Sequence, residues 1–379
     1  MIEQFRSLYG EDRQPRFYRA PGRVNLIGEH TDYNLGFVLP IALDMACYVA
    51  CAPSSDGRIH VHSLDRREGF DFDVDLRNAI PRKNWTDYVI GVAQGLARRG
   101  VEIRPMNLAL HSDVPEGSGL SSSAALEVSS AFAFLDGRDF DKLEIAKLCQ
   151  QAEIEFVGMP CGIMDQYISV FGRKNRAIEI DCRSLQHRAV PLPENVAILA
   201  VNSMVKHELA SSAYADRVNE CRAAVDQIRR VHPQVASLRD AKVEYLDEAG
   251  LTGTLKKRAR HIITENERVE QFLVASERGD LAEMGKLFVG SHRSMQFDYE
   301  ITCEEIDFLV DAALSIDGVF GARMTGGGFG GCTVNLVEPE KAPAFERAIK
   351  QAYQARWGVD PPVFRCLPSE GAGQLPGRE

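Results

Sequence analysis

The sequence carries no excess of basic residues: 44 Lys and Arg face 54 Asp and Glu, for a formal net charge of −10. A general affinity for nucleic acid or for an anionic membrane is therefore not expected, although a small local basic site is compatible with that balance. Long apolar runs are also missing, and none reaches the length of a membrane span. The opening MIEQFRSLYGED lacks a basic segment followed by an apolar one, so no secretory signal is expected. Cysteine pairing is a further gap. The nine cysteines are scattered, no C-x-x-C occurs, and the nearest two, Cys47 and Cys51, sit in a β-branched stretch. They are expected to be reduced thiols, mostly small buried hydrophobes, in a cytoplasmic protein. There is no internal repeat and no long low-complexity linker. What remains is 379 residues, 45% hydrophobic and 26% charged, an ordinary composition for a soluble chain of two or three domains.

Residues 15–80 hold β-branched runs punctuated by turn residues: GFVLPIAL, ACYVACAP, RIHVHSL and FDFDVDL. The HVH at 60–62 reads as part of an alternating strand rather than as a metal pair. From residue 84 the spacing turns helical, with Trp85, Val89, Val92, Ala93 and Leu96 on one face and Gly100 as a stop. NLALHSDVP predicts a strand feeding a helix that Gly137 ends; helices follow over 141–157 and in GIMDQYISVFG, then the strand RAIEIDCRS. A second α/β region starts near residue 190 with NVAILAVNS, long helices over 208–231 and 255–278, a helix near 303–316, the strand CTVNLV and a helix over 340–356. The tail SEGAGQLPGRE reads as a loose end, with packing of the last residues back on the first domain as the alternative. Strands first and helices interspersed later predict an α+β protein of two domains, 1–190 and 191–379.

Two glycine loops stand out. GGGFGG contains Gly326, Gly328 and Gly331 in a G-x-G-x-x-G spacing, but a β-branched run follows at once where a dinucleotide site needs a helix. It predicts a tight turn whose backbone approaches something closely. PEGSGLSSSAAL instead opens a helix with glycines and serines, so free N–H groups and a positive dipole end face outward. That suits a phosphate, and it equally suits a plain serine-capped helix start. It lacks the Gly-Lys-Ser/Thr ending of a P-loop.

Two carboxylates sit in costly places. In the 141–157 helix, Leu143, Ala146, Cys149 and Val157 share a face with Glu153. A carboxylate on an apolar stripe needs a partner, either an arginine or a cation such as Mg²⁺. Asp165 opens an otherwise apolar short helix, where an acid also serves as ordinary dipole compensation.

These features occur together with GRVNLIGEHTDYN (22–34) continuing into GFVLP, with GSGLSSSA, and with TGGGFGGC; between them lie WTDYVIGV, CGIMDQY and SSAYADR. In that order, and over nearly the whole chain, the sequence resembles the galactokinases of the GHMP small-molecule kinase superfamily. The resemblance implies a first domain similar to domain 2 of ribosomal protein S5 and a ferredoxin-like second domain, with the active site in the cleft between them. It implies transfer of phosphate from ATP, with Mg²⁺, to the anomeric hydroxyl of α-D-galactose, the first step of galactose catabolism by the Leloir pathway. A cytoplasmic monomer with no nucleic-acid or membrane partner is expected.

By motif, the resemblance makes Asp165 the base at that hydroxyl, with Arg23 beside it. Glu29, His30, Thr31, Asp32, Gly162 and Tyr214 would bind sugar, with Glu29 and His30 toward carbon 6 and Asp32 and Tyr214 toward carbons 3 and 4. Gly117, Ser118, Gly119, Leu120, Ser121, Ser122 and Ser123 would hold the triphosphate, and Ser123 with Glu153 would hold Mg²⁺. The polar cluster at 22–34 then has a reason, since each hydroxyl of a buried sugar needs a hydrogen-bond partner. Tyr214 by spacing alone is a core residue, in a stripe with Val218, Cys221, Val225 and Ile228. A related kinase for N-acetylgalactosamine or arabinose, and a sugar and ATP sensor without catalysis, are the alternatives. The retained Ser121, Ser122, Ser123 and Asp165 speak against the sensor.

Overall fold

The β-branched stretches of the first 80 residues do form strands, because alternating or continuous apolar side chains suit a pleated sheet covered by helices. The computed structural model describes residues 1–10, 14–205 and 210–376. After helix α1 (Ile2–Tyr9) come β1 (Arg16–Asn25), β2 (Phe37–Val38), β3 (Pro40–Pro53), β4 (Arg58–Ser63) and β5 (Glu68–Asp73). Helix α2 (Thr86–Arg98) leads to β6 (Met106–Ser112), and α3 (Ser122–Leu135), α4 (Lys142–Ala152) and α5 (Met164–Phe171) follow. The chain then forms β7 (Arg176–Asp181), β8 (Gln186–Pro191) and β9 (Ala197–Asn202). Helices α6 (Ala210–Arg229), α7 (Val243–Glu248), α8 (Gly253–Arg278), α9 (Leu281–Ser294) and α10 (Glu304–Leu314) precede the pair β10 (Val319–Thr325) and β11 (Cys332–Val337). Helix α11 (Ala342–Trp357), β12 (Val363–Arg365) and β13 (Gly373–Gln374) complete the order.

The larger sheet runs β13–β1–β3–β6–β4–β5 and is antiparallel except where β4 meets β6. Helix α3 lies across β1 and β3. Its buried face is rich in small residues, Ala124, Ala125, Ala131 and Ala133 among them, so the helix axis can approach the sheet. Val49, Leu108, Val128, Leu148 and Ile168 belong to the core between this sheet and its helices.

The second sheet, β10–β11–β9–β12, is antiparallel throughout, in a β-α-β-β-α-β order typical of ferredoxin-like folds. Every residue of β9 is buried, because both faces are covered. Leu199 and Val201 join Leu309, Val310, Phe345 and Ile349 of α10 and α11. Ile198 and Ala200 join Phe272 and Phe288 of α8 and α9 in a cluster that also contains Val24, Leu26, Ile27, Leu39 and Ile41. That shared core presses the end of β1 against the second sheet and brings the two halves of the motif set together. A third sheet, β2–β7–β8, is small. No helix among the described residues is long and apolar enough to cross a membrane.

The expected elements are recovered with some differences. The 141–157 helix ends as α-helix at Ala152 and continues as a π-turn over Glu153–Val157. Of the helix expected over 208–231, residues 208 and 209 lie outside the described chain. The segment containing MGKLFVGSHRSM is largely the helix α9. The tail is not a loose end but packs back on the first domain, where Gly373 and Gln374 pair with Arg19 and Tyr18 at the free edge of β1. Gly371 donates to the Gly172 carbonyl at 2.9 Å. A Cβ at 371 would lie 2.2 Å from the Val170 oxygen, so glycine permits that approach. An open strand edge offers unpaired backbone groups, and the tail satisfies them; residues 377–379 of it lie outside the described chain. In β4, Val61 is buried, and His60 on the opposite face meets Asp71 at 2.7 Å.

Candidate active site

Arg23, near the end of β1, is 5% exposed and reaches across to the first turn of α5. Its Nε donates to Asp165 Oδ1 at 2.9 Å and its Nη2 to Oδ2 at 2.7 Å, while Nη1 donates to the Gly119 carbonyl. Ser121 Oγ donates to Asp165 Oδ2 as well. The loop 117–121 that brings Ser121 there has left-handed φ values at Gly117, Gly119 and Ser121, of 69°, 77° and 63°. Ser118 and Leu120 turn inward. Ser118 Oγ donates to the Pro115 carbonyl at 2.7 Å, and the Leu120 carbonyl accepts from the Arg23 amide at 2.9 Å. The cleft in front of the loop is lined by Gly117, Gly119, Ser121, Ser122 and Ser123, with Glu153 and Asp165 beside them.

A second, smaller pocket adjoins it, lined by Glu29, His30, Asp32, Cys161, Gly162, Met164, Tyr214 and Gly326. The chain after β1 folds tightly to form one wall. Gly28 has φ 93° and His30 φ 61°, and Glu265 of α8 accepts the amides of Gly28 and Glu29 at 3.0 and 3.3 Å. Burial opposes the Glu265 charge, but Arg268, His261 and Arg323 outweigh it and hold the carboxyl at about 2.

Within that wall, Glu29 Oε1 accepts the Gly326 amide at 3.0 Å, and Oε2 accepts Arg323 Nη2 at 2.5 Å and Asn25 Nδ2 at 3.2 Å. Burial nonetheless pushes its carboxyl upward. Asp32 Oδ1 accepts the Tyr33 amide at 2.9 Å. Burial, and then the nearby Asp165 charge, push its carboxyl up to about 6. A Cβ on residue 162 would stand 1.5 Å from Asp32 Oδ2, so only glycine lets that carboxylate lie there. The Tyr214 ring, on α6, packs 5.2 Å from His30 and 5.4 Å from Tyr33, centroid to centroid. Thr31 is the exception among the residues expected here. It does not line the pocket, and its fully buried hydroxyl faces the Gly28 and Phe37 carbonyls at 2.9 and 2.6 Å, bracing the turn.

Glu153 begins the π-turn and is 8% exposed. Among the described residues no basic side chain forms an ion pair with it. Its Oε2 instead accepts Gln166 Nε2 at 2.6 Å, and the same nitrogen donates to Glu127 Oε2 at 2.9 Å. Burial first, then Asp165, push the Glu153 carboxyl up to about 7, while Ser123 pulls the other way through a hydrogen bond. Burial and then the Glu153 charge raise fully buried Glu127 much further.

The glycine turn 326–331 covers the phosphate-side loop. Gly326, Gly328, Gly330 and Gly331 all have left-handed φ. A Cβ at 328 would sit 2.6 Å from the Ile301 oxygen and one at 330 would sit 2.4 Å from the Val205 oxygen. The five glycines thus answer a close backbone approach, as the spacing suggested.

Several residues escaped sequence reasoning. Arg323 is fully buried; besides Glu29 it holds the Asn25 and Leu26 carbonyls at 3.0 and 2.7 Å. An arginine between Ala322 and Met324 in an apolar strand was the available signal. His261 and Glu265, one helical turn apart, form a buried polar pair on α8 that the 3.6-residue spacing could have shown. A third cavity, lined by Ser63, Arg66, Trp85, Tyr88, His111 and Leu126, shares Gly117, Ser122 and Ser123 with the cleft. Nothing in the local sequence ties those strand and helix positions to the loop.

Comparison with known proteins agrees with this arrangement. The family model described as the galactokinase galactose-binding signature matches residues 3–53, and those for the GHMP kinase N-terminal and C-terminal domains match 87–173 and 272–355. A curated galactokinase of Roseiflexus sp. (strain RS-1) is 44% identical, covering 98% of this chain and 96% of its own. One of Chloroflexus aggregans is 46% identical, with 94% and 92% covered. The crystal structure of Lactococcus lactis galactokinase complexed with galactose superposes with a TM-score of 0.94 at 33% identity, covering 99% of this chain and 98% of that one. With that identity running through both sheets and the cleft they share, the chain belongs to the galactokinase family of GHMP kinases.

Proposed function

We propose that the protein transfers the γ-phosphoryl group of ATP to the anomeric hydroxyl of α-D-galactose, giving α-D-galactose 1-phosphate and ADP. The observation that carries this reading is that Arg23, Asp165 and Gly327 line both the cleft in front of the serine loop and the smaller polar pocket. The two ligands would therefore meet at Asp165. In the pocket, Glu29 and Asp32 accept hydrogen bonds from sugar hydroxyls, with His30, Gly162 and Tyr214 around the ring. Residues 117–123 receive the phosphates, with the side chains of Ser118 and Leu120 shaping the loop from behind. The cavity beside Trp85 and Tyr88 is continuous with the loop through Gly117, Ser122 and Ser123, and it suits the nucleoside.

Phosphoryl transfer asks a protein mainly for positioning and charge stabilisation. The sugar O1 forms a bond to the γ-phosphorus as the bond to the bridging oxygen of ADP breaks. The O1 proton passes to the Asp165 carboxylate. Arg23 and Ser121 fix that carboxylate in place, and the Arg23 guanidinium offers fixed positive charge where the phosphoryl group crosses.

A divalent cation fits the same cleft. Glu153 is a buried carboxylate with no cationic partner among the described residues, and Ser123 and Asp165 bring oxygens to the same cleft. Such a set suits Mg²⁺, which takes one or two carboxylates and completes its shell with phosphate and water. Ser123 and Glu153 would hold it, and when bound it supplies positive charge to the phosphate oxygens.

Initial rates of ADP formation with galactose, glucose, N-acetylgalactosamine and arabinose at saturating ATP test this reading. Galactose and glucose differ only at carbon 4, and a site that hydrogen-bonds a hydroxyl leaves its partners unpaired with the wrong epimer. A kcat/KM for glucose lower by at least about a thousandfold is expected. Comparable efficiency on glucose would replace the assignment with a broad hexose kinase of the same fold.

A further inference from the structure

His30 is a sugar-pocket residue whose hydrogen-bonding sense depends on its tautomer, since a neutral imidazole donates from one nitrogen and accepts at the other. Burial pushes its pKa down to about 3, so the ring is neutral at physiological pH. Its backbone is held in the left-handed region, at φ 61°, with the carbonyl pinned by Asn34 Nδ2 at 3.0 Å. Its Nδ1 lies 2.7 Å from the Tyr33 hydroxyl, that hydroxyl lies 2.7 Å from the Tyr299 hydroxyl, and the latter lies 3.1 Å from Cys221 Sγ. Nε2, by contrast, is buried and makes no hydrogen bond among the described residues.

We propose that Cys221, Tyr299 and Tyr33 form a one-way hydrogen-bond chain that fixes His30 as the Nε2–H tautomer. His30 would then be an obligate donor to one sugar oxygen. The inference rests on the sugar-pocket reading given above and adds three positioning residues to it. Tyr33, Tyr299 and Cys221 act through the imidazole.

The three contacts can run in either of two senses, which use their hydrogens differently. In one, Cys221 gives its S–H proton to the Tyr299 oxygen. Tyr299 then donates to Tyr33, Tyr33 donates to His30 Nδ1, and every hydrogen is used. Run the other way, the chain begins at an Nδ1–H and ends at the sulfur. The chain would then end on a weak acceptor, and its S–H, in a residue 2% exposed, would be left over. Phenol is also a stronger acid than a neutral imidazole N–H, which favours the phenol as the donor at that link.

Histidine tautomers are distinguished by long-range ¹H–¹⁵N NMR. With ¹⁵N-histidine label at pH 7.5, the His30 signals are identified by their loss in His30→Gln. Wild-type protein without ligand should show His30 as the Nε2–H form. Tyr33→Phe removes only the hydroxyl that feeds Nδ1, and should turn that spectrum into a mixture of tautomers. It should also raise the galactose KM about tenfold, with kcat and the ATP KM within about twofold. Tyr299→Phe takes away the donor to the Tyr33 oxygen, so the tautomer should become partly mixed and the galactose KM should rise about threefold.

An Nδ1–H form in the wild type overturns the chain, as does a Tyr33→Phe protein with unchanged tautomer and KM. The wild-type tautomer is read without either tyrosine variant. An Nε2–H tautomer in a protein that phosphorylates no sugar would sink the sugar-pocket reading instead, so the two failures are separable.

Discussion

Arg23 holds Asp165 by both carboxylate oxygens, at 2.9 and 2.7 Å, and the same guanidinium is tied through its remaining nitrogen to the carbonyl of Gly119. The proposed base, the proposed electrophilic charge and the phosphate-side loop are thus one rigid unit. Two parallel N–H···O bonds fix orientation as well as distance, which a single point charge cannot do.

Asp165→Asn should keep this geometry approximately while losing the ability to take a proton. A fall in kcat of at least roughly a hundredfold is expected, with ATP affinity retained by calorimetry. Near-normal turnover in that variant would remove Asp165 from the base role.

Glu153→Gln should act on the cation. The amide is similar in shape but brings no charge, so the Mg²⁺ concentration for half-maximal rate should rise while the galactose KM stays nearly constant. Binding of Mn²⁺ with ATP, followed by electron paramagnetic resonance without sugar, should weaken in parallel. An unchanged Mg²⁺ curve accompanied only by a shift in Tm would return Glu153 to a structural role.

Asp32 makes activity and stability pull in opposite directions. Its carboxyl is pushed up to about 6, so galactose binding should weaken as pH falls through that value and the acceptor is lost. The stability linkage has the opposite sense. The folded state binds the proton more tightly than the unfolded chain, so between the ordinary carboxylate range and about 6 stability falls as pH rises, and above that the loss is complete. Asp32→Asn should therefore raise Tm at pH 8, converge with the wild type near pH 4, and abolish galactose phosphorylation. A lower Tm for the variant at pH 8 would refute this account.

Arg323 and Glu29 form a fully buried ion pair at 2.5 Å that joins β10 to the sugar-side turn. Removing one partner leaves the other charge uncompensated. Arg323→Met should cost roughly 3–5 kcal/mol in urea unfolding. Adding Glu29→Gln to it should recover part of that loss. Two additive losses would show that the pair is not coupled.

Much of the site is legible in linear order because its parts are local devices. Glycines and serines at 117–123 announce a turn into a helix, since glycine tolerates the left-handed φ found at Gly117 and Gly119 and serine is favoured at a helix start. Glu153 on an apolar stripe announces a buried carboxylate needing compensation, and Asp165 announces an acid at a helix start. The sequence could not say how Glu153 is compensated. The arginine considered for it is absent among the described residues, and Gln166 of α5 takes that place, donating to Glu127 of α3 as well. Those three residues share no spacing pattern, because contact between three helices is set by packing.

The sequence alone therefore determined which elements form, the α+β class, the family to which the chain belongs, and the residue types available to bind sugar and phosphate. Periodicity, turn chemistry and an ordered set of motifs are properties of neighbours in the chain. Tertiary structure alone decided which of those residues meet. It put Thr31 behind the pocket wall, pinned the tail to β1, buried Arg323 against Glu29, and lined His30 up with Tyr33, Tyr299 and Cys221. Each of these depends on a contact between residues distant in sequence or on the direction a side chain takes from a strained backbone. Both are fixed only when the shared core between the two larger sheets closes.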